Sequence, residues 1–163
     1  MKSLSSVRLT LVVLGLLVAS CGSDSGTSAT APPPEPLDLE ATAAGFDLDS
    51  VGAEYFEAIS YGPYDENLFD IYLPASDQPT PLLMSRDTSG SEDFVMSYLS
   101  EGVAFASIDY RLLTSPDPDG VIKSLTDSAR CLQFIRYHAE QLNIDPSNII
   151  LMGGSAGAGA CSA

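Results

Sequence analysis

Ile149-Ile150-Leu151-Met152-Gly153-Gly154-Ser155-Ala156-Gly157-Ala158-Gly159-Ala160 is the stretch whose reading decides the fold. Its four apolar residues read as a short buried strand. Gly153-Gly154-Ser155-Ala156-Gly157 follows without a spacer and fits G-x-S-x-G. A serine that attacks a carbonyl carbon must stand clear of its sheet on a sharp strand-to-helix turn. The backbone is strained there, so small residues on both flanks let strand and helix approach closely. The amide of Ala156 and the start of the alanine-rich helix after it would then face the oxyanion. The same residues also suit a glycine-rich turn packing a helix on a sheet, with Ser155 as a helix N-cap. An apolar strand before the motif and a helix–loop–strand unit upstream supply the context that the first reading requires.

Working back from this stretch, residues 143–148 hold Asp145-Pro146 and read as a turn. Before it, Ile122, Leu125, Ala129, Leu132, Ile135, Ala139 and Leu142 trace an apolar stripe at helical spacing, which predicts a helix over about 121–142. Residues 103–110 (VAFASIDY) read as a strand, and residues 91–100 as a helix ended by Gly102. Residues 81–84 form a short apolar run. Residues 53–60 and 67–73 alternate apolar and polar side chains across the Tyr61-Gly62-Pro63 break and predict an antiparallel hairpin. Strands alternating with helices behind a hairpin predict an α/β class, with a mostly parallel sheet and one antiparallel edge.

The amino terminus has another character. Lys2 and Arg8 precede an apolar run over residues 9–19, which is too short to span a bilayer. Val18-Ala19-Ser20-Cys21 then places small residues before a cysteine. This looks like a bacterial lipoprotein signal over residues 1–20, cleaved before a lipidated Cys21; an ordinary secretory signal with an incidental cysteine is the alternative. Residues 21–45 are rich in Gly, Ser, Thr, Ala and Pro and are expected to be a disordered tether, leaving residues 46–163 as the folded part. The expected location is extracytoplasmic, lipid-anchored to a bacterial membrane. Seven basic residues against 22 acidic ones give a net charge of −15, and removing Lys2 and Arg8 would make the chain more acidic still. Such a chain is a poor partner for nucleic acid, whose phosphates need a basic face. Cys131 and Cys161 are expected to be two buried free thiols, although an oxidising compartment permits a disulfide.

Asp70-Ile71-Tyr72-Leu73-Pro74, Ser107-Ile108-Asp109-Tyr110-Arg111-Leu112, the helix from Asp127 to Ile135, Asn143-Ile144-Asp145-Pro146 and the Gly153–Gly159 turn together resemble the α/β-hydrolase superfamily. Within it, the chain resembles the carboxylesterase and hormone-sensitive-lipase-like esterases. The resemblance runs from about Tyr55 to the last residue. It implies hydrolysis of small-molecule carboxylic esters through an acyl-enzyme, with Ser155 as nucleophile, Ala156 N–H as one oxyanion donor and no cofactor. Asp109 and Asp127 would be structural, tying loops and helix ends together.

The sequence departs from that pattern in three ways. The family carries a His-Gly-Gly-Gly-type run after the third strand, whose amides complete the oxyanion hole; here Ser85-Arg86-Asp87-Thr88-Ser89-Gly90 stands instead. Losing one such donor typically costs ~3–4 kcal/mol of transition-state stabilisation. The triad acid and histidine follow the serine in this fold, yet neither residue type occurs after Ser155. His138 is the chain's single histidine. At the far end of its helix it would lie roughly 17 Å from the serine's edge of the sheet, whereas a base must come within about 3 Å, so it receives no catalytic role. Finally, the elbow strand would be the last of the sheet, with an unpaired apolar edge. The chain is therefore expected to be the N-terminal part of a longer esterase, the first half of the fold only, and insoluble or inactive alone on a short-chain aryl ester. The competing class is a non-catalytic lipoprotein that uses the scaffold for binding, and a peptidase on the same fold is a weaker alternative. No cluster with metal-ligand spacing is present in the sequence, acyl and alcohol preferences are not legible, and oligomeric state is open.

Overall fold

A computed structural model describes residues 33–86, 92–114 and 116–153. These form five strands, β1 (Glu54–Ser60), β2 (Leu68–Leu73), β3 (Thr80–Ser85), β4 (Ala104–Ile108) and β5 (Ile144–Met152), with helices α1 (Glu92–Ser100) and α2 (Ile122–Tyr137). The strands make one mixed sheet in the order β1-β2-β4-β3-β5. β2 is antiparallel to both neighbours, while β4, β3 and β5 are mutually parallel. The expected hairpin, parallel region and α/β class are all present.

Alternation along the strands sorts the core onto two faces. Phe69, Ile71, Leu82, Met84, Ala106 and Ile108 meet Cys131 and Ile135 of α2 on one face. Tyr55, Tyr72, Leu83 and Phe105 meet Val95 and Leu99 of α1 on the other. On the α1 face the rings form a row: Tyr55 stacks on Tyr72 at 4.5 Å between centroids, Tyr72 lies 6.2 Å from Phe105, and Phe105 lies 6.0 Å edge-on to Phe94. Each such ring or aliphatic side chain removed from water contributes roughly 1.5–3 kcal/mol.

Three boundaries differ from the expectations. First, the tether ends earlier than its composition indicates. From residue 33 the chain belongs to the same compact unit as the sheet. Leu37 and Leu39 pack on the α2 face, Ala44 and Phe46 on the α1 face, and Thr42 N–H donates to Tyr55 O at 2.8 Å. The apolar residues scattered among prolines and acids find these slots, which local composition does not reveal; residues 21–32 lie outside the described residues. Second, the buried stripe of α2 is rotated at its start. Ile122 is 63% exposed and Ala129 is exposed, while Asp127, Ser128 and Cys131 are buried. Asp127 pairs with the half-buried Arg111, and that pairing sets the helix's rotation. Third, residues 143–148 serve as both turn and strand. Thr80 pairs with Ile144 and Leu82 with Ile149, so β5 bulges between them, and Asp145 Oδ1 accepts from Ser147 N–H at 2.9 Å. Gly102 ends α1 as expected. It has φ +74°, with Gly102 N–H on Leu99 O and Val103 N–H on Tyr98 O, each at 3.0 Å, a Schellman closure.

Candidate active site

The three parallel strands end level with one another. Ser85 of β3 pairs with Ser107 of β4 and with Met152 of β5. Ligand sites in open α/β sheets form outside this carboxyl edge. β5 delivers Gly153 to that edge. Ser155, two residues further on, and Ala156 lie outside the described residues, as do Cys21, Cys161 and residues 87–91 of the altered loop.

Among the described residues, the corner between β4 and α2 is the most heavily bonded part of the edge. Asp127 reaches back from the helix to take Arg111 Nε at 2.8 Å, Arg111 Nη2 at 2.8 Å and Arg111 backbone N–H at 3.1 Å. Burial on its own raises the Asp127 carboxyl, but the hydrogen bonds from Arg111 outweigh it and hold the group below its usual range. The Arg111 guanidinium lies 3.6 Å from the Tyr64 ring centroid, and Ser124 Oγ donates to Arg111 O at 2.6 Å. Tyr61 Oη donates to Asp109 O, and Asn67 Nδ2 donates to Tyr61 Oη at 3.3 Å. Burial pushes the Tyr61 phenol up, so this donor stays protonated. Asp127 thus ties loop to helix through its carboxylate, whereas Asp109 joins the end of β4 to the hairpin through its backbone, the residue itself being exposed. Asp117 closes the loop before α2. It accepts from Thr114 N–H at 3.1 Å, from Asp119 N–H at 3.1 Å and from Lys123 Nζ, which foremost lowers its carboxyl to about 2.

His138 lies at the opposite edge. It caps α2, is buried against Phe134 with ring centroids 4.4 Å apart, and shares a 3.2 Å hydrogen bond between Nδ1 and Gln141 Nε2. The strand level there is that of Thr80 and Ile144, five β3 residues from Ser85 and Met152, or about 17 Å. Cys131 is a free, fully buried thiol, and burial pushes it up, so it remains an inert apolar filler. β5, which pairs with β3, leaves Ile150 58% exposed.

One feature of this edge was missed by sequence reasoning. Arg86, the first residue past β3, lays its guanidinium 4.9 Å from the Tyr110 ring centroid. Arg86 Nε and Tyr110 Oη are both closed off from water and have no hydrogen-bond partner among the described residues. The available signal was a cation directly after an apolar strand, where the hydrolase pattern asks for glycine.

A mixed sheet ordered 1-2-4-3-5, with one helix on each face and G-x-S-x-G after β5, is the first half of an α/β-hydrolase. A family model, BD-FAE, matches residues 69–162, more than half of the chain. The chain therefore belongs to the BD-FAE family of hormone-sensitive-lipase-like α/β-hydrolases. Among solved structures, a bacterial heroin esterase is 27% identical with a TM-score of 0.56, covering 73% of this chain and 40% of its own. A bifunctional GH43-CE protein of Bacteroides eggerthii is 25% identical with a TM-score of 0.52, covering 66% and 17%. A truncated carbohydrate esterase from gut microbiota is 18% identical with a TM-score of 0.52, covering 78% and 44%, and shares the fold. The chain spans less than half the length of each of these proteins. No curated protein matches it.

Proposed function

We propose that this segment is the nucleophile-bearing half of a serine carboxylic-ester hydrolase, with Ser155 as nucleophile and Ala156 N–H as one oxyanion donor. The observation that carries this reading is the register of the parallel strands. Met152 is level with Ser85 and Ser107, so β5 brings Gly153, the first residue of the G-x-S-x-G sequence, to the edge where this fold does its chemistry. Family membership and the esterases among the structural neighbours support the reaction type. The general base and its orienting acid come, in this proposal, from sequence beyond residue 163, because His138 is placed about 17 Å away along the sheet. The polypeptide carrying this segment should hydrolyse a short-chain aryl ester such as p-nitrophenyl acetate. Ser155→Ala should lower kcat by ~10³-fold or more with an unchanged fold, and a fluorophosphonate should label Ser155 by mass spectrometry. A variant that keeps its rate would overturn the assignment.

The location follows from the first residues. Lys2, Arg8, the apolar run over 9–19 and Val18-Ala19-Ser20-Cys21 support lipidation of Cys21 and tethering outside the cytoplasm. Radiolabelled palmitate should enter the wild-type chain in a bacterial host and be absent from Cys21→Ala; equal labelling of both would remove the anchor.

A further inference from the structure

We propose that Arg86 and Tyr110, at the carboxyl edge of β3 and β4, form a binding site for a carboxylate. Three observations point to an oxyanion there. Arg86 is half-buried and makes no ion pair among the described residues, in a chain whose charges are overwhelmingly negative. A cation drawn out of water is costly unless an anion compensates it. Its Nε–H, and the hydroxyl of Tyr110, which is only 4% exposed, have no partners among the described residues, on two residues already in contact. Both groups donate hydrogen bonds, so one acceptor-only ligand with two oxygens would answer both, and a carboxylate is that ligand. The other two cations of this edge are already committed, Arg111 to Asp127 and Lys123 to Asp117, so Arg86 is the one left to take it.

Ser85 pairs with Met152, so Arg86 and Gly153 are the next residues of two adjacent strands. A carboxylate held at Arg86 would therefore stand beside Gly153, two residues before Ser155 in the sequence. Combined with the esterase reading, on which this step alone rests, the substrate class becomes esters bearing a free carboxylate besides the scissile group.

The binding claim can be tested without catalysis. In ¹H–¹⁵N spectra of the full chain, titration with sodium acetate at constant ionic strength should move the Arg86 Nε–H resonance to saturation, while acetamide and sodium chloride should not. Tyr110→Phe keeps that resonance and should weaken acetate at least fivefold. Arg86→Gln, followed through the Ser107 and Tyr110 amides, should abolish saturation. A linear response, equal response to acetamide or chloride, or unchanged affinity in Tyr110→Phe would overturn the site. If acetate binds as expected but the parent enzyme hydrolyses no ester, the site stands and the esterase reading falls. If neutral and anionic esters react with equal kcat/KM while acetate binds, the site stands and its link to substrate falls.

Discussion

Arg111 and Arg86 both follow a parallel strand at the same end of the sheet, and both lay a guanidinium on a tyrosine ring, at 3.6 Å on Tyr64 and 4.9 Å on Tyr110. There the likeness stops. Arg111 gives three hydrogen bonds to a buried carboxylate and has a serine on its own carbonyl. Among the described residues, Arg86 keeps an unbonded Nε–H beside an unbonded phenol. The first corner is closed by residues of this chain and holds β4, α2 and the hairpin turn together. The second is finished on its apolar side and open in its polar chemistry. One serves architecture; the other has the features of a place where a ligand completes the bonding.

The contrast can be broken most directly through Asp127. Asp127→Ala strands Arg111 with no carboxylate and removes the acceptor of its backbone N–H. The pair is largely buried, at 21% and 2% side-chain exposure. Removing one member of a buried pair costs ~3–5 kcal/mol, and the lower end, about 3, applies because Arg111 keeps some water. Arg86→Met, by contrast, should change stability by less than ~1 kcal/mol in either direction, since it strands no ion partner among the described residues and methionine can still pack on the Tyr110 ring. Urea denaturation of the two variants checks both values. If Arg86→Met cost as much as Asp127→Ala, Arg86 would be another structural clamp and the distinction would collapse.

The same two corners show how far the sequence could be read. Element type and order were legible because the period changes cleanly from two in residues 53–73 to 3.6 in α2, and because Gly102 and Tyr61-Gly62-Pro63 punctuate it. The rotation of α2 was not legible. An apolar stripe through Ile122 and Ala129 reads as well on paper as the true one through Ser128 and Cys131. What selects the second is Asp127 meeting Arg111, a contact sixteen residues apart that no local pattern encodes. The docking of residues 33–46 escaped notice for a similar reason, since Leu37 and Phe46 look like isolated apolar residues until the sheet supplies their slots. For the site, the G-x-S-x-G turn was visible as a motif. The open valences of Arg86 and Tyr110 are defined by what fails to bond, and only three-dimensional geometry can show that.

A second test sharpens the closed side. The hairpin turn reaches the Arg111 corner through Asn67, which is fully buried, and Asn67 lies over Gly62. A Cβ built on Gly62 would come within 2.3 Å of Asn67 Oδ1 and 2.9 Å of its Cγ. Asn67 also donates to Tyr61 Oη, so it has no free direction in which to move. Gly62→Ala should therefore cost ~1–3 kcal/mol by overpacking, read as a lower urea midpoint with an unchanged slope. Asn67→Ala combined with Gly62→Ala should show coupling, the second change costing less once the first is made. Strict additivity of the two would mean that the turn is not pressed against Asn67, and that the hairpin contributes little to the clamp.

The smallest effect lies at the opposite edge, where His138 offers a titration that the Arg111 corner cannot imitate. Burial lowers the imidazole below its ordinary 6.5, and Phe134, Tyr137 and Gln141 surround it. The unfolded chain then binds the proton more readily than the folded one. Stability is full above about pH 6.5, falls as the pH drops from there through the lower folded-state value, and levels off beneath it. Asp127 works in a separate window. Its carboxyl is depressed in the fold, so its contribution is full above the ordinary carboxylate range near 4 and is lost only as the pH falls further. Urea midpoints measured from pH 7.5 to 3 should therefore decline in two separate stages. His138→Gln should flatten the upper stage and leave the lower, whereas Asp127→Asn should leave the upper and shrink the lower without abolishing it, because the depressed Asp117 carboxyl titrates there too. A midpoint that rose on acidification from pH 7 to 5.5 would mean that the imidazole is stabilised as a cation, placing an anion beside His138 and undoing its assignment as a packed, neutral cap.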